Sequence, residues 1–366
     1  MSLVRSRARD FGVGFGDMPP GPKNMITDVP DVRVGHLTLS EGSGELVVGK
    51  GPVRTGVTVV LPHSGNLFER PVKGAYFAFN GCGGLFGALQ LDEFGLIDTP
   101  IGLTNTMAIG TVADGIIRYT LARVPQAGIE LDTIIPIVSE CDDSHLNDAR
   151  GLHVRSEHVA LAIEAASDHV DEGAVGAGTG MMCYDFKGGI GTSSRVVKTA
   201  AGEFTLGTLV LSNHGERQEL VVDGIPIGKL VRAPNPRREE KGSIVMIVAT
   251  DAPLDARQLG RLAKRAVMGL ATTGSCAHNG SGDIVIAFST ANVHDKFKYT
   301  DGCVTDRIMV DREMDPLFRA TVDCTAESIV NSLFAAETTE GRDGHVAPSL
   351  PIDQTLELLR AHNRLA

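Results

Sequence analysis

The sequence predicts a layered α+β or sandwich-like α/β/β/α fold rather than a doubly wound parallel sheet. Three observations carry this. Strand-like and helix-like segments mix without strict alternation, whereas a doubly wound sheet needs strand and helix in turn. Several strand-like runs are apolar almost throughout, as burial on both faces requires. One long helix-like segment carries a single apolar stripe, so it packs one side against a sheet.

The elements follow in order. Residues 31–39 alternate, with Val32, Val34, His36 and Thr38 on one face, and read as a strand. Residues 56–62 form a buried strand that Pro62 ends. Residues 75–79 form another, and a helix is expected over 87–94. Residues 100–106 read as a short strand entering a helix capped near Thr106. A strand is expected over 133–138, followed by a loop over 139–147. A helix is expected over 156–167, then a glycine-dense run over 173–191. Residues 204–211 read as a strand and Asn213-His-Gly as a turn. Residues 233–241, charged and bearing two prolines, read as exposed. Directly after them, residues 243–250 form an apolar strand. Leu259, Leu262, Ala263, Ala266, Val267 and Leu270 form one stripe of a helix over 255–271. A strand at 283–290 and helices over 316–337 and 352–362 close the chain.

At 366 residues with 42% apolar side chains, the chain holds a large core and reads as a single catalytic domain spanning 1–366. The net charge of −11, without a block of like charge, argues against nucleic acid as a partner. The first ten residues lack the apolar stretch of roughly 7–15 residues that a secretory signal needs. No segment reaches the roughly 18 apolar residues of a membrane span. The expectation is a cytoplasmic protein. Its six cysteines read as reduced, mostly buried thiols. None pairs at zinc-knuckle spacing, and Cys141 with His145 is half a site without its other half, so no metal is expected.

Gly176-Ala-Gly-Thr-Gly180 resembles the start of a dinucleotide fingerprint. It lacks a following helix and an acid about 20 positions on. No Gly-Lys-Ser/Thr phosphate loop exists either. Close backbone packing explains these glycines better.

The chemistry points instead to Ser243. No Gly-x-Ser-x-Gly elbow is present, and eleven scattered histidines define no triad. A serine can be activated by its own α-amino group once the bond before it is cut. That amine titrates near about 7.7–8.0 and so serves as a base near neutrality. The arrangement needs an exposed loop directly before a rigid strand that begins with serine. Lys241-Gly-Ser-Ile244 has that form. Gly242 lets the hydroxyl reach the preceding carbonyl.

Several segments taken together are similar to one family. They are residues 24–36 (NMITDVPDVRVGH), 54–58 (RTGVT), 100–106 (PIGLTNT), 176–180 (GAGTG), 186–192 (FKGGIGT) and 279–284 (NGSGDI). In this order they strongly resemble the DmpA/BapA family of D-stereospecific and β-peptidyl aminopeptidases, over nearly the whole chain. The resemblance implies a precursor that cuts itself before Ser243, giving residues 1–242 and 243–366. It implies a four-layer α/β/β/α sandwich of the kind shared with ornithine acetyltransferase, usually as a tetramer of chain pairs. Ser243 matches the nucleophile, and Ser281 and Asp283 match a serine and an acid beside it. Asn213 matches the oxyanion amide, and Glu140 the acid that pairs with the substrate's ammonium. Two positions depart from the pattern. Asp142 stands where a tyrosine beside the nucleophile is found, and Gly84 where many relatives carry glutamate. The implied enzyme removes N-terminal β-, D- or L-amino acyl groups from short peptides, amides or esters, without metal or organic cofactor. The rivals are an acyltransferase of the ornithine acetyltransferase type and a non-catalytic binding protein on the same fold.

Overall fold

The computed structural model describes residues 5–234, 242–299 and 301–365, so the charged stretch expected to be exposed lies mostly outside the described residues. Two mixed sheets carry the fold. The first orders its strands β1 (Arg33–Glu41), β2 (Val53–Leu61), β6 (Ile101–Asn105), β7 (Ile137–Cys141) and β4 (Leu85–Phe86). The second orders β10 (Gly189–Thr199), β11 (Gly202–His214), β12 (Gly242–Thr250), β13 (Gly282–Ser289), β3 (Val72–Gly81) and β5 (Leu96–Ile97). Two short ribbons stand apart: β8 (Met182–Cys183) with β9 (Phe186–Lys187), and β14 (Thr339–Glu340) with β15 (Val346–Ala347).

The sheets face each other across one core. Val60, Leu103 and Ile137 of the first sheet pack with Leu209, Val245, Ile247 and Ile286 of the second. Helices α2 (Ile109–Arg123) and α3 (Glu157–Glu164) cover the outer face of the first sheet through Val112, Ile116, Val159 and Ile163. Helices α5 (Ala256–Thr272) and α6 (Asp315–Ala335) cover the outer face of the second. The layers are therefore α/β/β/α, as the sequence predicts. The shorter helices are α1 (Ala88–Phe94), α4 (Ile227–Leu230) and α7 (Ile352–Ala361).

The apolar run of β12 has a direct cause. Ile244, Met246 and Val248 face the helices, while Val245, Ile247 and Ala249 face the opposite sheet. Each such fully buried side chain contributes about 1.5–3 kcal/mol of transfer free energy. Parallel neighbours need a crossover, and α5 supplies it between β12 and β13, as α2 does between β6 and β7.

Three segments differ from the sequence reading. Strand β7 begins at Ile137 rather than Thr133, and Ser139-Glu-Cys141, expected in a loop, are strand residues buried in parallel register with Leu103, Thr104 and Asn105. Asn213 and His214 continue β11 instead of turning, because they pair with Ser243 and Gly242. Strand β10 has no apolar pattern to announce it. Its small and polar residues serve close packing, since a Cβ on Gly191 would meet Ser328 O of α6 at 1.9 Å. Ser193 Oγ donates to Cys324 O at 2.8 Å across the same contact.

The Gly176–Gly180 turn is buried, and Cβ atoms on Gly176 and Gly180 would meet Thr58 Oγ1 at 2.4 Å and Arg54 O at 2.2 Å. Lys187 Nζ donates to Gly178 O at 2.9 Å and to Met181 O at 2.7 Å beneath it. These glycines serve close packing. The cysteines are free, but only Cys141, Cys183 and Cys324 are buried, while Cys82, Cys276 and Cys303 are exposed. Among the described residues no helix is long and apolar enough to cross a membrane.

Candidate active site

The ends of β3, β6, β7 and β11 and the starts of β12 and β13 meet at one end of the sandwich. Antiparallel register sets Asn213 opposite Ser243, and parallel register sets Asp283 opposite Ile244. Asn80 lies opposite Asp283, and the register then slips between Asp283 and Ile284. Such a bulge re-aims the side chains beside it, here next to Ser243.

Ser243 is 6% exposed, and its Oγ accepts the Gly282 N–H at 3.0 Å. A backbone donor on this oxygen favours the charge that develops when its proton leaves. The residues flanking Gly282 are Ser281 and Asp283, both buried. Ser281 Oγ donates to Asp283 Oδ1 at 3.0 Å, and Asp283 Oδ2 has no hydrogen-bond partner among the described residues. Burial pushes the Asp283 carboxyl above the ordinary carboxylate value and outweighs the hydrogen bonds from Ser281 and Asn80. A carboxyl held so is suited to take and return a proton.

Asn213 is fixed at both ends of its amide. Its Oδ1 accepts Met182 N–H at 2.8 Å, and its Nδ2 donates to Asp142 O at 2.7 Å. The nitrogen end is thereby held on the side of the Gly242–Ser243 bond. Gly242 itself has φ +65°, and a Cβ there would fall 1.6 Å from Asn213 O and 2.9 Å from Asn213 Nδ2. Only glycine fits this position.

Glu140 is 4% exposed at the end of β7. Its Oε1 accepts Gly84 N–H at 2.6 Å, and its Oε2 accepts the Thr106 hydroxyl. At Gly84, the second departure, a Cβ would lie 2.7 Å from Ile109 Cδ1 and 3.4 Å from Glu140 Oε1, so a side chain there would require the Ile109 side chain to move. Asp142 turns its carboxylate back on its own loop, accepting Ser144 N–H at 2.9 Å and Ser144 Oγ–H at 2.8 Å.

Gly242, Ser243, Glu140, Asp142, Gly84 and Thr106 line one cavity of about 1090 Å³. It suits a short peptide. Asn213, Ser281 and Asp283 do not line it and stand behind Ser243. The structure thus gathers every site residue read from the sequence, in two tiers. Sequence reading misses the supporting groups: the side chains of Thr106 and Asn80, and the backbone N–H groups of Gly84 and Gly282. The helix cap expected near Thr106 falls to Asn105, whose side chain accepts Ala108 N–H at 3.0 Å and so frees the Thr106 hydroxyl for Glu140. Cys141 and His145 do not form a metal half-site. The Cys141 thiol is buried 3.6 Å from Leu211 O, and the His145 ring stacks on His345.

Residues 24–347 match peptidase family S58. The β-peptidyl aminopeptidase BapA of Sphingosinicella microcystinivorans is 41% identical, over 98% of this chain and 93% of its own. The PH0078 protein of Pyrococcus horikoshii OT3 superposes with a TM-score of 0.95 at 47% identity, covering 98% of this chain and all of its own. An L-aminopeptidase D-Ala-esterase/amidase from Ochrobactrum anthropi, a prototype serine aminopeptidase with a variant of the Ntn hydrolase fold, superposes with a TM-score of 0.92. It is 37% identical and covers 98% of this chain and 99% of its own.

Proposed function

This chain belongs to peptidase family S58, and we propose that it is a serine aminopeptidase and amidase that first cuts its own Gly242–Ser243 bond. The observation that carries the proposal is the placement of that bond in the cavity that also holds the buried acid Glu140.

In the first phase Ser243 Oγ attacks the Gly242 carbonyl. The C–N bond breaks, an ester forms by N-to-O shift, and water hydrolyses it. Residues 1–242 and 243–366 remain together as one catalytic domain, and Ser243 gains a free α-amine. In the second phase that amine takes the hydroxyl proton while Oγ attacks the substrate's acyl carbon. Asn213 donates to the oxyanion, a contribution worth roughly 10²–10³ in rate. Ser281 and Asp283 orient the nucleophile and pass the proton toward the leaving amine. Water then releases the acyl group. Glu140 pairs with the substrate's N-terminal ammonium, whose burial unpaired is costly. Asp142 adds a second acid to the same cavity and favours cationic amines.

The substrates are short peptides, amides or esters with a free N-terminal amine. β-Aminoacyl compounds come first in a panel with D- and L-alanyl nitroanilides, because a relative at 41% identity bears that activity in its name. An ornithine-type acyltransferase is not favoured, since a peptidase family matches and that group uses threonine where Ser243 stands. A cytoplasmic tetramer of chain pairs completes the proposal, supported by exposed Leu89, Phe94 and Ile129 and by free thiols on the surface. Light scattering tests the tetramer. Intact mass of the wild type against Ser243→Ala tests the mechanism: the wild type yields two chains and a new N-terminal Ser243. A wild type that stays one uncut chain overturns it.

A further inference from the structure

Beside the loop that leads into Ser281, and outside the residues that line the cavity, Glu219, Cys276 and His278 bring one ligand atom each within 4.8 Å of one another. Cys276 Sγ lies 3.4 Å from Glu219 Oε1 and 3.6 Å from His278 Nε2. His278 Nε2 lies 2.9 Å from Glu219 Oε1. Zinc bonds of about 2.3 Å to sulfur and about 2.0–2.1 Å to nitrogen or oxygen set tetrahedral edges of about 3.6 Å to sulfur and about 3.4 Å between the others. The three side chains already stand near those edges, and seating an ion asks only that Nε2 and Oε1 part by about 0.5 Å.

The support around them is also that of a metal site. Glu219 Oε2 accepts Glu216 N–H at 2.9 Å, which leaves Oε1 aimed at the other two. Cys276 is exposed, so an ion has access from solvent. A second carboxylate, Glu216, reaches within 3.9 Å of the imidazole Nε2. Thiolate, imidazole and carboxylate together suit zinc or a similar borderline ion, and not calcium or magnesium.

We propose that Glu219, Cys276 and His278 bind one zinc-class divalent ion. No spacing rule joins these residues in sequence, because Glu219 lies 57 positions before Cys276. On binding, the thiol releases its proton to solvent and the sulfur coordinates as thiolate. The ion would tie the segment that follows Asn213 to the loop that leads into Ser281. The His278 carbonyl already accepts Ser281 N–H at 2.8 Å and Asn80 Nδ2–H at 2.7 Å, so that loop is the rear wall of the catalytic group.

The test is titration of the full-length protein with Co²⁺, read by absorption. One equivalent is expected to give a thiolate-to-cobalt charge-transfer band with tetrahedral visible bands, and Zn²⁺ is expected to displace it. Cys276→Ser should abolish the band, and His278→Ala or Glu219→Gln should weaken binding by about tenfold or more. In parallel, Zn²⁺ should slow alkylation of Cys276 by iodoacetamide about tenfold, with Cys82 and Cys303 as exposed controls that do not change. Circular dichroism checks that the variants fold. A band that survives Cys276→Ser, no saturable band at all, or Cys276 alkylation indifferent to Zn²⁺ would each overturn the proposal. None of these readouts depends on hydrolysis, so their failure is distinct from failure of the peptidase mechanism.

Discussion

Gly242→Ala separates the geometry of the cut from its chemistry, because it leaves Ser243 and all its partners in place. The native φ of +65° disfavours any residue with a Cβ, at about 1–2 kcal/mol. The larger effect is steric. A Cβ at 242 would sit 1.6 Å from Asn213 O, and real Cβ contacts stay beyond 3.0 Å. The chain must retreat by about 1.4 Å at the scissile residue, and a misplacement of about 1 Å costs about 10²-fold in rate. Self-cleavage is therefore expected to slow by at least about 10²-fold. A time course of intact mass, from freshly expressed precursor to the 1–242 and 243–366 chains, measures it. Gly280→Ala is the control, since its Cβ would meet nothing within 4 Å. It should process at the wild-type rate. Processing of Gly242→Ala at that same rate would refute the claim that the glycine's conformation sets up the attack.

Three other perturbations probe the remaining parts. Glu140→Gln keeps the shape but removes the charge, and should cost about 2 kcal/mol or more, or about 30-fold in kcat/KM, for substrates with a free amine. N-acetylated analogues, assayed alongside, should not register the change. Asp283→Asn should lower kcat by about 10² or more as the proton carrier is lost. Its stability should move the other way. The folded carboxyl is raised by burial, so the folded state holds its proton more tightly than the unfolded one. The stabilisation from protonation is complete below the ordinary carboxylate value and is lost as pH rises through the raised one. Melting curves should thus show Asn gaining on the wild type as pH rises from about 4 to about 7, and a gap that shrinks over that range would contradict the burial argument. Lys187→Met removes the ammonium donor from the carbonyls of Gly178, Met181 and Gly188, of which the first two keep a backbone donor, and should cost about 1–3 kcal/mol in denaturant unfolding.

The outline of the fold was legible because burial on two faces and on one face leave different patterns. The strand at 243–250 and the stripe from Leu259 to Leu270 map onto β12 and α5 almost to the residue. The polar strands were illegible for the same reason. In β10 the requirement is backbone contact with α6, which selects Gly191 and Ser193 and erases the apolar signal. The end of β7 reads as loop because Ser139 and Glu140 are polar, yet both are buried for the sake of the site. The site residues came from matched positions. What ties them together, such as the Thr106 hydroxyl on Glu140 or the Gly282 amide on Ser243, depends on register between distant strands, and no local pattern encodes it.

That register also explains why Ser243, the proposed nucleophile, stands at the start of β12 and not in a surface loop. A serine hydroxyl that must attack first its own chain and then a substrate has to be placed to a fraction of an ångström. Ile244 to Ala249 are locked from both faces, so Ser243 directly precedes a stretch of β12 that cannot shift without opening two cores. Its neighbours Asn213 and Asp283 inherit the same rigidity through β11 and β13. The bond before it begins at the strand's first residue, Gly242, which occupies the left-handed region that residues with a Cβ disfavour. Rigidity on one side of the scissile bond and a glycine-only conformation on the other place the nucleophile and bend the chain toward it within two residues.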